Sequence, residues 1–256
     1  MLFAFTIFVS LAGAAGAFLA GRGRPGLARG IAMASAVAGL VAAIGGAFQL
    51  GAPKELVTQF RVPWVPSLGI EFHLAADGIS SVLVLLTGIA AVGGLLFSWN
   101  IERRANEFFA LYLMLIAGVY GVFLSFDLFQ FFAFYELAIV PKYFLIAIWG
   151  STRREYGAMK LALYSFIGSA MVLVGVLAIY AVSGTGSFDL VRLASANLPL
   201  AFQAWAFPLV FVGFAIVTNP AIFEILQTQI FCIIFSKMIQ TYHSTKIKLV
   251  LTIKIT

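Results

Sequence analysis

Cysteine, charge and late glycine are what this sequence has least of. A single cysteine, Cys232, stands among 256 residues. That excludes a disulfide framework, a cysteine-ligated iron–sulfur cluster and a thiolate zinc site. Charged residues make up 10% of the chain while 62% is hydrophobic, and the mean hydropathy is +1.04. Ordinary soluble domains carry about 25% charge, and no soluble fold of this size can hide so much apolar surface. A soluble globular enzyme is therefore excluded. The net charge of +6 does not read as a nucleic-acid footprint, because the basic residues are scattered between apolar runs instead of gathered on one face. What the chain has in plenty, 26 Phe and 24 Gly, suits aromatic belts and close helix contacts in a bilayer.

Stretches free of Asp, Glu, Lys and Arg give the organisation. Residues 2–21, 30–53, 78–101, 108–126, 161–188 and 193–223 are such runs, and each is long enough to cross a hydrocarbon core that needs roughly 20 residues. A further apolar segment, 128–149, holds only Glu136 and Lys142. The expected architecture is an all-α polytopic membrane protein of about seven spans, the seventh at about residues 202–217. The first span, at residues 2–20, has no basic residue ahead of it and so reads as a retained helix and not a cleaved signal. Arg22, Arg24, Arg29, Arg103, Arg104, Arg153, Arg154 and Lys160 fall in alternate loops, and the intervening loops hold Lys54, Arg61 and Arg192. The positive-inside bias then puts the N-terminus on the outer side. The loop 51–77, broken by prolines, is expected to lie along that outer surface. Residues 1–216 form one membrane region. The tail 217–256 differs abruptly: it has no glycine, nine Ile and four of the seven Lys, and reads as divergent or frameshifted.

Glu136 is the most informative side chain. It lies eight residues into the fifth span, about 12 Å below its outer end, where a carboxylate costs roughly 2.5–3.5 kcal/mol on insertion scales. Burial disfavours its charged form and a nearby cation restores it, the balance needed by a group that loads and releases a proton. Proton transfer is the leading reading, with a structural acid bonded to a neighbouring helix as the alternative. Pro141 breaks the helix below it by leaving the Leu137 carbonyl without a donor. Lys142, six residues on and about 240° round the helix, reads first as a snorkelling lysine and second as part of a relay. Tyr164 and Ser169 read as polar packing between helices. His73, near Glu71 and Asp77, is a candidate surface proton antenna or a solvated loop histidine. Asp77 and Asp127 read as helix N-caps. Gly21-Arg-Gly-Arg-Pro-Gly26 is a literal G-x-G-x-x-G without the strand that gives the motif meaning; it reads as a turn. No metal or cofactor-binding set is apparent.

The stretch Phe123-Leu-Ser-Phe-Asp127-Leu-Phe-Gln-Phe-Phe-Ala-Phe-Tyr-Glu136-Leu-Ala-Ile-Val-Pro141-Lys-Tyr-Phe-Leu-Ile-Ala-Ile-Trp149-Gly150 resembles the fifth-helix region of the antiporter-like subunit M (chain 4) of respiratory complex I. Asp77-Gly-Ile-Ser80, Arg153-Arg-Glu-Tyr156 leading to Tyr164, and Phe207-Pro-Leu-Val-Phe211 are similar in order and spacing, so the likeness spans about residues 1–216. The resemblance implies the N-terminal half of an antiporter-like fold, with Glu136 matching the family's proton-handling acid. It implies a multi-pass protein of the cell inner membrane, with other membrane subunits of complex I and the lipid bilayer as partners and no nucleic acid. NADH, flavin, iron–sulfur clusters and quinone would be handled by other subunits. The family's partner lysine on the seventh helix has no counterpart here, where the chain reads Val217-Thr-Asn-Pro220. A subunit of a multisubunit cation/proton antiporter or of a membrane-bound hydrogenase is the alternative, and a truncated, non-pumping copy a third.

Overall fold

A computed structural model describes residues 1–20, 24–50, 56–150 and 153–218. Tail residues 219–256, with Cys232 and His243, lie outside the described residues, as do Arg22 and Lys54. The elements run α1 (Leu2–Leu19), α2 (Pro25–Leu50), β1 (Val57–Val65), a 3-10 turn (Pro66–Leu68), β2 (Ile70–Ala76), α3 (Gly78–Phe97), α4 (Ala105–Leu124), α5 (Leu128–Trp149), α6 (Arg154–Ser183), α7 (Leu190–Ala194) and α8 (Leu200–Thr218). Helices α1 to α6 are long and apolar enough to cross a membrane, and α8, the expected seventh span, adds a shorter apolar helix at Leu200–Ile216. Large apolar side chains face outward, Phe97 at 93% exposure and Phe166 at 77%, as lipid-facing surfaces do.

Helix α4 is the hub, packed on α1, α2, α3 and α5, while α6 bridges α5 and α8. Helices in lipid gain little from apolar burial and associate through close van der Waals contact. Gly118 and Gly121 of α4 supply that contact against α5. A Cβ at Gly121 would lie 2.2 Å from the Phe134 ring, and one at Gly118 would lie 2.9 Å from the Ala138 backbone nitrogen. Arg29 donates to the Ile101 carbonyl at 3.0 Å and the Trp149 indole to the Arg103 carbonyl at 2.8 Å. These bonds gather the basic connections at one end of the bundle.

At the other end the structure departs from expectation. Instead of an irregular surface loop, residues 57–76 form an antiparallel hairpin, adding a two-stranded sheet to the helical fold. Pro63 does not prevent it, because the register slips between Pro63 and Val65, and bulges and edges are where a strand tolerates proline. Nor does the hairpin lie loosely on the surface. The second strand is almost wholly buried and packs against α3, α4 and α5. Gly69 caps the 3-10 turn at φ 66°, where a Cβ would lie 1.9 Å from the Gly186 carbonyl oxygen.

Candidate functional site

Helix α5 begins at Asp127, whose carboxylate accepts the Phe129 and Gln130 backbone N–H groups at 2.9 and 3.0 Å. This is the N-cap expected from the sequence. Nine residues further along stands Glu136, half-buried, with Oε1 fully buried and without a hydrogen-bond partner among the described residues. The hydroxyl of Ser169, on the neighbouring helix α6, donates to the Ser165 carbonyl one turn earlier at 2.7 Å. Tyr135, next to Glu136 and in electrostatic range of it, packs edge-on against Phe214 of α8 at 5.6 Å, and Phe131 meets the same ring at 6.0 Å. Glu136 therefore sits beside the wedge between α5, α6 and α8. Pro141 interrupts the hydrogen-bond ladder below.

Above α5, the hairpin end holds a second polar cluster. His73 is 2% exposed, and its Nδ1 lies 2.9 Å from Asp189 Oδ2; its Nε2 lies 3.3 Å from Thr58 Oγ1. Arg61 bridges Glu71 at 2.5 Å and Asp189 at 3.1 Å. The His73 backbone N–H donates to Gln130 Oε1 at 2.8 Å, and the Glu71 N–H to Asp127 Oδ2 at 3.2 Å, so the hairpin is bolted to the first turn of α5. Asp189 caps α7 through the Val191 and Arg192 N–H groups at 2.8 and 3.2 Å.

Both caps belong to a repeated tetrapeptide, Ser125-Phe-Asp127-Leu and Ser187-Phe-Asp189-Leu. The two copies pair antiparallel: the Leu128 N–H donates to the Phe188 carbonyl at 2.9 Å and the Leu190 N–H to the Phe126 carbonyl at 2.8 Å. Their carboxylates respond oppositely. Burial pushes Asp127 up from the ordinary aspartate value, against the pull of three backbone N–H groups. Burial also pushes Asp189 up, but the His73 hydrogen bond and the α7 N–H groups outweigh it and hold this carboxyl below the ordinary value. The Glu71 carboxylate raises Arg61.

The residues singled out in the sequence are thus distributed over several places. His73 is a buried partner of Asp189 and no surface antenna. Asp77 caps α3 through the Ser80 N–H at 2.7 Å. Tyr164 is 40% exposed, with Lys160 Nζ 5.7 Å from its ring centroid, and so turns outward. Lys142 is half-buried and makes no hydrogen bond or ion pair among the described residues; it is not joined to Glu136. Asp189, Arg61, Gln130 and Ser165 were not anticipated. For Asp189 the signal was present, since the second Ser-Phe-Asp-Leu copies the cap already recognised at Asp127. Among the described residues no three His, Cys, Asp or Glu side chains converge as a metal site.

Residues 125–226 match the family described as NADH:quinone oxidoreductase/Mrp antiporter, TM. Over 163 residues the chain is 40% identical to the NAD(P)H-quinone oxidoreductase chain 4 3 of Picosynechococcus sp., covering 63% of this chain and 29% of that relative. With NADH-quinone oxidoreductase subunit M of Pseudomonas aeruginosa it shares 40% identity over 168 residues, covering 60% and 33%. The chain therefore spans about a third of the length of the curated relatives it matches. In fold it is similar to a chain of respiratory complex I from Thermus thermophilus with bound NADH (TM-score 0.69, 23% identity, 85% of this chain and 43% of that one). A chain of the Mrp complex from Dietzia sp. DQ12-45-1b is equally similar, with TM-score 0.69, 20% identity, and coverage of 85% and 23%. The resemblance drawn from the fifth-helix motif is borne out.

Proposed function

We propose that this multi-pass chain, similar over residues 125–226 to the NADH:quinone oxidoreductase/Mrp antiporter membrane family, is a membrane-arm subunit of a proton-translocating NADH–quinone oxidoreductase. In this reading NADH, flavin, iron–sulfur clusters and quinone belong to other subunits, and this chain moves protons. Its basic connections face the cytoplasm and the hairpin end faces outward across the cell inner membrane. The observation supporting a proton role is the Glu136 carboxyl, set mid-helix in an apolar run with one oxygen buried and without a hydrogen-bond partner among the described residues.

A buried acid of this kind is expensive to ionise without help. Redox-driven change elsewhere that brings a cation toward α5 favours the carboxylate and releases the proton; withdrawing it favours reloading. Pro141 leaves the Leu137 carbonyl free to bind water on the inner side of the acid. The decisive experiment is Glu136→Gln in the assembled complex, following proton uptake alongside electron transfer. We expect assembly and folding to persist while coupled proton uptake falls by about a hundredfold, within the range of lost acid–base groups. Unchanged pumping in a normally assembled complex would overturn the assignment.

A second reading, a subunit of a multisubunit cation/proton antiporter, draws on the likeness to the Mrp complex chain and on a family description that covers both systems. Proton uptake driven by a sodium gradient, with no electron donor present, would favour it over the first.

A further inference from the structure

We infer that Thr58, His73 and Asp189 form a nucleophile–base–acid chain that takes an acyl group from a small carboxylic ester at the hairpin end, an activity separate from proton movement. Thr58 Oγ1 lies 3.3 Å from His73 Nε2, and His73 Nδ1 lies 2.9 Å from Asp189 Oδ2. That is the order in which a hydroxyl is activated: nucleophile, imidazole, and a carboxylate holding the far ring nitrogen. The fold brings the three together from β1, β2 and the cap of α7. A register slip falls between Thr58 and Phe60, the kind of irregularity that re-aims a strand side chain beside a reactive site.

Burial along the chain matches this use: His73 and Asp189 are buried, and Thr58 is exposed. Burial pushes the Asp189 carboxyl up, but its bonds to His73 and to the α7 N–H groups hold it below the ordinary value. The ionised carboxylate can only accept, so the imidazole hydrogen sits on Nδ1 and Nε2 presents its lone pair to the Thr58 hydroxyl. Arg61, 3.1 Å from the same Asp189 oxygen and paired with Glu71, pins that carboxylate. Thr58 also lines a cavity of about 260 Å³, together with Met1, Phe3, Gln49, Val57 and Gln59. This lies just under the roughly 300–1,000 Å³ of drug-sized sites, which suits a short ester. Phe3 and Val57 offer it apolar surface, and the two glutamines bring side-chain amides, donors of the type that stabilises a developing oxyanion. The Thr58 oxygen attacks the ester carbonyl carbon while His73 Nε2 takes the hydroxyl hydrogen and Asp189 stabilises the imidazolium through Nδ1–H. The bond to the alcohol part then breaks, and His73 returns the proton to the departing alkoxide, leaving acyl-Thr58 and a free alcohol. Water attacks in the same way, releases the carboxylic acid and restores the hydroxyl. No oxidant or reductant is needed.

The test uses the full chain in native membrane vesicles, with p-nitrophenyl acetate as the ester. After acid quenching, peptide mass spectrometry locates the acetyl group. It is expected on Thr58, removable by hydroxylamine as esters are and amides are not, and it should form more slowly in deuterium oxide because a proton moves in the attack. Thr58→Val should abolish acetylation at this position, and Thr58→Ser, which keeps the hydroxyl, should retain it. His73→Gln should slow it about a hundredfold, the scale of a lost general base, and lose the solvent isotope effect. Asp189→Asn, a change at a positioning residue that keeps the α7 cap, should slow it by about as much through the wrong imidazole tautomer. Protease resistance of residues 57–76 verifies that the hairpin stays folded in each variant. An acetyl group absent from Thr58 of the native chain, or formed there equally fast in both solvents, overturns the inference with no variant needed. Undiminished Thr58 acetylation in His73→Gln and Asp189→Asn overturns it as well, and the Glu136 assignment stands in either case.

Discussion

The paired Ser-Phe-Asp-Leu segments make a sharp prediction, because two aspartates in the same local sequence should respond unequally to the same substitution. In Asp189→Asn the remaining carbonyl oxygen can still accept from Val191 and Arg192, so the α7 cap survives. The amide nitrogen then replaces the oxygen that takes His73 Nδ1 and Arg61 Nη2. A hydrogen bond to a charged group is worth about 1.5–3 kcal/mol. The Arg61 share must be discounted, since that side chain is 42% exposed and screened pairs give roughly 0–1 kcal/mol. We therefore expect Asp189→Asn to cost about 2–3 kcal/mol at pH 7. Asp127→Asn also keeps its cap but loses the acceptor for the Glu71 N–H, a cost offset by no longer burying a charge; its net effect should stay within about 1 kcal/mol. The pH dependences differ in sign. The Asp189 carboxyl is held below the ordinary value of 3.8, so its stabilisation is present above that value and lost as pH falls through the lower native one. The Asp127 carboxyl is raised above 3.8, so its contribution favours the fold below 3.8 and is lost as pH rises through the native value. Denaturant unfolding of both variants in bicelles across pH 3–7 checks this. A larger loss at pH 7 in Asp127→Asn than in Asp189→Asn would refute the reasoning.

Gly121→Ala should destabilise the bundle by about 1–3 kcal/mol, the usual cost of overpacking, because the new methyl would meet the Phe134 ring at 2.2 Å; thermal unfolding in detergent reads it. Gly69→Ala combines a left-handed backbone, costing roughly 1–2 kcal/mol, with a clash on the Gly186 carbonyl. It should detach the hairpin tip, read as new protease cleavage within residues 57–76 while α1 to α6 stay protected.

What the sequence made legible follows from how each signal is encoded. The long helices were visible because bilayer spans announce themselves as unbroken apolar runs, and Glu136 because a lone acid inside such a run is conspicuous. Asp77 and Asp127 were visible because capping is local. His73 was misjudged because its partner, Asp189, lies 116 positions away, and neighbouring acids in sequence suggested solvent where the fold supplies a buried pair. The hairpin was hidden by Pro63 and Pro66, which read as breakers; one sits beside a bulge and the other opens a 3-10 turn. Tyr164 and Ser169 read as ordinary packing polarity, since nothing in their spacing says which way they face.

These contacts constrain how Glu136 can be switched. Helix α5 is held at its cap by Asp127, one turn lower by the Gln130 bond to the hairpin, and at the level of Phe134 and Ala138 by the glycines of α4. Phe131 and Tyr135 both rest on Phe214 of α8. Moving α5 along its axis by one residue, 1.5 Å, would break the cap, the Gln130 bond and the glycine contacts together, and packed interfaces change between discrete arrangements instead of yielding gradually. A carboxyl clamped above and below at fixed depth is not switched by carrying it toward either surface. What remains free is the charge brought near it. Under the proposed proton role, the affinity of Glu136 for its proton would be set by the local field at constant position, and the wedge between α5, α6 and α8 is where an approaching cation would act.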